Sequence, residues 1–143
     1  MERSIKMKDK EKNILLMKST SKLLYAIGFV FNVIDLFILT LVVILCGVAI
    51  ASSEIVAQVA AETSQTVELV QKILMVLIIV CSVIFIVHFA LIFVVLSARK
   101  NLNNNTGKYS PHVILLLVGI FDFNLFYLLG GIFGSVAAGE SEE

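Results

Sequence analysis

The sequence predicts an all-α membrane protein with three transmembrane helices and a basic, partly amphipathic N-terminal segment. Three apolar runs, 23–50, 73–97 and 112–138, each exceed the ~20 residues that a helix needs to cross a ~30 Å hydrocarbon layer. In addition, 59% of the 143 residues are hydrophobic and the mean hydropathy is +0.99. This apolar share exceeds that of soluble domains, so a soluble helical core is the weaker alternative.

Lysine and arginine predict how the chain is threaded. Of the 11 basic residues, all but Lys72 lie in 3–22 and 99–108. Cytoplasmic flanks collect such residues, so the N-terminal segment and the loop 98–111 are expected inside and the C-terminus outside a plasma membrane. The segment 51–72 is then an external loop, in which Glu68 can pair with Lys72 on a helix. The tail 139–143 carries only negative charge.

The segment 1–22 has two interpretations. Ile14 and Met17 are three residues apart and share a helix face, which favours a surface helix in the inner headgroup region. A solvated, disordered basic tail fits the same composition. In either case we expect the anionic inner leaflet, rather than nucleic acid, to be the partner of the basic residues. The five expected to contact it are Lys18, Lys22, Arg99, Lys100 and Lys108.

The run 23–50 is interpreted as a retained span, because it is about twice as long as the ~7–15 apolar residues of a signal peptide and contains Asp35. The following loop lacks Gly and Pro, and Ile55, Val59 and Glu62 have helical spacing, so it is predicted to be helical. In the inner loop, 101–107 is rich in Asn and ends a helix. Ser110 and Pro111 then provide an N-cap and a first helical residue for span three.

Five polar residues fall inside the predicted spans. Counting ~1.5 Å per residue from the inner flanks places them all in one layer near mid-membrane. Intramembrane carboxylates cost free energy and need partners or water. One interpretation is a proton relay or cation site, and the other is hydrogen bonding that fixes the register of packed helices. The five are Asn32, Asp35, His88, Asp122 and Asn124.

Gly130, Gly134 and Ala138 repeat every four residues, a spacing that lets two helix backbones approach closely in a membrane. The pattern predicts a packing face, used either within the chain or between copies. Gly47 and Ala51 are a candidate counterpart within the chain.

Catalytic chemistry has little support. Motifs of serine hydrolases, zinc proteases and phosphate loops are missing, and no two potential metal ligands have a recognised spacing. We therefore expect no enzyme activity, no catalytic residue, no metal and no cofactor. Cys46 and Cys81 are interpreted as small apolar side chains packed among helices.

The segment Asn124-Leu-Phe-Tyr-Leu-Leu-Gly-Gly-Ile-Phe-Gly134 resembles the closing helix of small multi-span proteins of unknown function from Gram-positive bacteria. The resemblance covers the last quarter of the chain and implies a bacterial plasma membrane without an established activity. We expect an accessory protein that assembles with itself or with a larger membrane partner. The alternative is an oligomeric proton or cation channel or transporter, and a three-span holin is a further possibility that the acidic tail disfavours.

Overall fold

A computed structural model describes the backbone of residues 2–140 and the side chains of residues 7–140. The described part is all-α, without strands. Its five helices are α1 (Glu2–Ala51), α2 (Ser53–Thr63), α3 (Val67–Asn104), α4 (Ser110–Phe121) and α5 (Leu125–Gly139). The residues form two compact units. The hairpin unit comprises Met1–Asn32 and Leu91–Glu143, and the central unit comprises Val33–Ala90.

Two helices, α1 and α3, are long and apolar enough to cross a membrane. Only 6% of the apolar window of α1 and 22% of that of α3 are buried. The predicted spans 23–50 and 73–97 lie within these helices. The basic N-terminal segment is also helical from Glu2 onward and continues into the first span without a break.

In the central unit, the predicted helix in the loop after span one forms as α2. The Ser52 hydroxyl accepts a hydrogen bond from the amide of Ile55 and caps the helix. Buried Val56 and Ala60 pack with Val70 near the start of α3. The expected pair also forms, with Lys72 Nζ 2.7 Å from Glu68 Oε1.

In the hairpin unit, α4 and α5 pack against each other as an antiparallel helical hairpin. Glycines allow the close approach: a Cβ at Gly119 would collide with the backbone of Leu128, and one at Gly131 would lie 2.7 Å from the Leu116 amide nitrogen. The far end of α5 returns to the start of α4, where a Cβ on Gly139 would meet the Tyr109 hydroxyl.

This hairpin corrects the prediction of one continuous helix over 112–138. The helix stops at Asp122, Phe123 adopts a left-handed backbone with φ of 52°, and Asn124 starts α5 by accepting hydrogen bonds from two amides. The 12 and 15 residues of α4 and α5 extend ~18 and ~22 Å, less than the ~30 Å hydrocarbon layer.

The C-terminal end of α5 therefore lies beside Tyr109, at the end of the hairpin next to the basic loop. A third crossing, and with it an external C-terminus, does not follow from this arrangement. Residues 141–143 of the acidic tail lie outside the described part of the chain. The predicted start of the third span is nearly right, since Ser110 is the first residue of α4 and Tyr109 takes the capping position without a side-chain bond.

The core of the hairpin unit joins α1, the end of α3 and the hairpin. Its fully buried side chains include Tyr25 of α1, Val95 and Ala98 of α3, Leu115 of α4 and Tyr127 of α5. Gly28 gives α5 room on α1, because a Cβ there would lie 2.6 Å from the Tyr127 ring.

Candidate functional site

A buried polar contact lies inside the hairpin unit, where α1, α4 and α5 meet. The hydroxyl of Tyr25 lies 2.8 Å from Nδ1 of His112, and the two rings stack with centroids 5.8 Å apart. Both residues are 0% exposed. One turn earlier on α1, the buried Ser21 hydroxyl donates to the carbonyl oxygen of Gly130 at 2.8 Å.

The small residues of α5 make this contact possible. A Cβ at Gly134 would lie 2.5 Å from His112 Nδ1 and 2.8 Å from the Tyr25 hydroxyl. A Cβ at Gly130 would lie 2.8 Å from the Tyr25 ring. The two glycines therefore form the wall against which the tyrosine and histidine rings stack.

The protonation of His112 follows from its surroundings. A phenol is a stronger proton donor than a neutral imidazole N–H, and an imidazole nitrogen is the stronger acceptor, so we assign the Tyr25 hydroxyl as donor to Nδ1. The ring proton is then on Nε2. Burial lowers the pKa of His112, on the short helix α4, to about 4, which keeps the ring neutral near pH 7.

A small cavity of about 10 Å³ adjoins this histidine at the end of the hairpin next to the basic loop. His112 Nε2 is buried and has no hydrogen-bond partner among the described residues. Four polar residues, Asn101, Asn105, Lys18 and Lys108, line the cavity together with Leu102, Gly107, Ala137 and Ala138. Lys18 Nζ donates to Asn105 Oδ1 at 2.8 Å, which ties α1 to the loop after α3.

The five polar residues predicted to share a mid-membrane layer have different surroundings. In the hairpin unit, Asn32 is 1% exposed, Asp122 is exposed at the tip of the hairpin, and Asn124 is half-buried. Asn124 accepts hydrogen bonds from the amides of Phe126 and Tyr127, each at 3.2 Å, and so acts as a helix cap. In the central unit, Asp35 is half-buried and His88 is 6% exposed.

Across residues 7–140, no three His, Cys, Asp or Glu side chains form a group that could hold a metal ion. Asp122 and Asn124 were predicted inside the third span, but they flank Phe123 in the turn between α4 and α5.

The predicted small-residue face is used within the chain. Gly130 and Gly134 lie against α1 and α4, and Ala138 is 5% exposed. The candidate counterpart on α1 is different: Gly47 and Ala51 are exposed, and a Cβ at Gly47 would meet nothing within 4 Å among the described residues.

The basic residues predicted to contact the inner leaflet are accessible. Lys18 and Lys22 are half-buried, and Arg99, Lys100 and Lys108 are exposed. Only Lys18 and Lys108 of these five line the cavity beside His112.

Sequence reasoning missed the pairing of Tyr25 with His112. Each lies near the start of a predicted span, Tyr25 in 23–50 and His112 in 112–138. The two are 87 positions apart, and no local pattern links them. Comparisons with protein-family models, with curated proteins and with solved structures gave no match to this chain.

Proposed function

We propose that this protein is an integral membrane subunit that acts by assembly with a larger membrane complex or with its own copies, without covalent chemistry. In the proposed topology, α1 and α3 cross the bilayer and the hairpin enters and returns from the cytoplasmic side. The basic residues in the N-terminal part of α1 and those between the apolar part of α3 and the start of α4 support this orientation, because cytoplasmic flanks collect Lys and Arg. The N- and C-termini then both lie inside.

The observation that carries the proposal is the exposed tip of the hairpin. Phe121 is 82% exposed and Phe123 is 90% exposed, with the exposed Asp122 between them. Contiguous apolar patches that remain exposed in a folded chain commonly mark protein or membrane interaction sites.

The exposed tip of the hairpin is expected to lie deep in the membrane. Twelve residues of α4 place the tip ~18 Å from Ser110 along the helix. Phe126, just after the tip, stacks on Phe31 with ring centroids 5.3 Å apart. Phe31 lies nine residues past Lys22, or ~14 Å along α1, so the two counts agree on a position near mid-membrane.

Irregular backbone at membrane depth is tolerated only where protein covers it or where it lines a water-filled cavity. In the described part of the chain, Phe121, Asp122 and Phe123 are exposed and no other helix covers them. A partner surface over the tip would cover this irregular backbone and bury both rings. Gly130 and Gly134 are not available for this contact, because they already pack against α1 and α4.

The test is the mass of the complex extracted in mild detergent from the native membrane. We expect a protein mass above the 15.7 kDa of one chain. Phe121→Ala and Phe123→Ala should each weaken association by at least ~1 kcal/mol, as for a buried interface aromatic residue. Phe37→Ala is the matched control, since Phe37 is also largely exposed at 65% but lies on α1. A mass of 15.7 kDa for the unmodified protein would contradict the proposal.

A second candidate function is proton or cation conduction by an oligomer. The position of Asp122 at the exposed tip favours it, because ionisable residues at membrane depth commonly mark ion and proton pathways. Asp122→Asn and Asp35→Asn would then abolish flux in proteoliposomes while the mass of the complex stays unchanged. If the protein acts only by assembly, purified complexes show no flux above that of empty liposomes.

A further inference from the structure

We propose that the cavity beside His112 binds a phosphate oxygen of an anionic lipid headgroup or of free phosphate, with His112 Nε2–H as the buried donor. The proposal rests on the membrane orientation given under Proposed function. It goes beyond diffuse attraction of the basic residues to the inner leaflet, because it assigns one binding position to one oxygen atom.

The hydrogen bond between Tyr25 and His112 leaves one ring nitrogen of the histidine as a buried donor. The Tyr25 hydroxyl lies 2.8 Å from Nδ1, and with this hydroxyl assigned as the donor the ring proton is on Nε2. This N–H is buried and has no acceptor among the described residues. A buried donor without an acceptor costs ~1–3 kcal/mol, so an oxygen ligand at this position would relieve a real penalty.

The residues around the cavity carry positive charge. Two lysines, Lys18 and Lys108, line it together with two asparagines, and none of its lining residues is Asp or Glu. Lys18 uses one of its ammonium protons on Asn105 and has two others to donate. His112 also lies in the first turn of α4, where the helix dipole adds partial positive charge. This field favours an anion over a neutral acceptor.

The volume and the position of the cavity also fit a phosphate oxygen. A cavity of about 10 Å³ accommodates one oxygen atom but not a whole phosphate group. The remainder of the group would lie outside, between the two lysines. The cavity is at the basic end of the hairpin, where the phosphates of the inner leaflet are expected.

The experiment uses the full chain in nanodiscs, with only histidine labelled with ¹⁵N. The protein has two histidines, so His88 provides an internal control. We expect the His112 Nε2–H signal to shift when phosphatidylglycerol replaces part of a phosphatidylcholine bilayer, while the His88 signal stays in place. A parallel titration with inorganic phosphate in pure phosphatidylcholine distinguishes the sources. A response there supports free phosphate as the ligand, and a response only to phosphatidylglycerol supports the headgroup.

Charge-matched variants separate the site from general attraction. Lys18→Gln combined with Lys108→Gln removes both cavity lysines. Lys22→Gln combined with Lys100→Gln removes two lysines from the same two stretches of chain, neither of which lines the cavity. Both pairs lose the diffuse attraction to anionic lipid, about fivefold per lysine. We expect the first pair to weaken the His112 response at least ~tenfold more than the second, because only that pair also loses direct hydrogen bonds from ammonium groups to the bound oxygen.

Two results would overturn the proposal. One is a His112 signal that neither ligand moves, which would mean that the cavity holds only water. The other is an equal loss in the two double variants, which would mean diffuse attraction. Neither result depends on the mass of the complex, so failure of the site and failure of the assembly proposal are distinguishable.

Discussion

Tyr25 on α1 and His112 on α4 share a buried contact of 2.8 Å between a hydroxyl and a ring nitrogen, although 87 positions separate them in sequence. This contact joins the hairpin to the first long helix. Its neighbours on α5 are glycines, which let both rings lie against the helix backbone. The orientation of the hairpin on α1 therefore depends on this hydrogen bond and on glycines in α5, which have no side chain to obstruct the two rings.

Tyr25→Phe should reduce stability by ~1–3 kcal/mol, because it removes the donor to a buried histidine nitrogen while keeping the ring. Loss of helix during titration of detergent micelles with a denaturing detergent, followed by circular dichroism, measures the change. Tyr109→Phe is the control, because Tyr109 is 41% exposed. Equal effects of the two substitutions would show that the Tyr25 hydroxyl has no special role.

Gly134→Ala should destabilise the hairpin unit by ~1–3 kcal/mol, the usual cost of overpacking. The added methyl would lie 2.5 Å from His112 Nδ1, so the ring has to move. Gly47→Ala adds the same methyl on α1 where nothing lies within 4 Å, and alanine is the better helix former by ~1 kcal/mol. The same denaturation assay should show a loss for the first variant and no loss for the second.

Asn124→Ala should weaken the start of α5 by ~0.5–2 kcal/mol, because the side chain caps two amides. Amide hydrogen exchange at Phe126 and Tyr127 should accelerate. Asn124→Ser retains a capping oxygen and should exchange at nearly the original rate. If Asn124 instead acted as part of a conducting cluster, both substitutions would change flux and leave these amides protected.

Acid should destabilise the hairpin unit through His112. Burial lowers the pKa of this histidine to about 4, below the ~6.5 of an unfolded chain. The folded state therefore binds fewer protons between these values. The contribution to stability is complete above about pH 6.5 and is lost as pH falls toward 4. Denaturation midpoints at pH 7.5 and 5 should differ more for the unmodified protein than for His112→Gln. An identical pH dependence in both would show that His112 does not titrate in this way.

The long elements of the fold were predictable because their signal is local. A helix that crosses a membrane needs a continuous apolar run, and the runs 23–50 and 73–97 lie inside α1 and α3. Ser52, which caps α2, and Glu68, which pairs with Lys72, act on residues three or four positions away. Such contacts depend on spacing alone.

The hairpin was not predicted because the turn between α4 and α5 lies within a long apolar run. Asp122 and Asn124 interrupt 27 largely apolar positions, and hydropathy averages dilute two polar residues. Asn124 directly before an apolar helical pattern is a recognised start signal, so this part was readable. The approach of Gly119 to Leu128 and the contact of Tyr25 with His112 depend on tertiary packing and had no local signal.

The side of the membrane reached by the end of α5 distinguishes a returning hairpin from a third span. Single cysteines are placed at Asn104, Glu140 and Ser64 in a background in which Cys46 and Cys81 are replaced by alanine, and labelled with a membrane-impermeant maleimide in vesicles of both orientations. We expect Asn104→Cys and Glu140→Cys to label from the same side, and Ser64→Cys, in the turn between α2 and α3, from the other. Labelling of Glu140→Cys from the same side as Ser64→Cys would mean that residues 110–139 cross the bilayer. That result would contradict the returning hairpin.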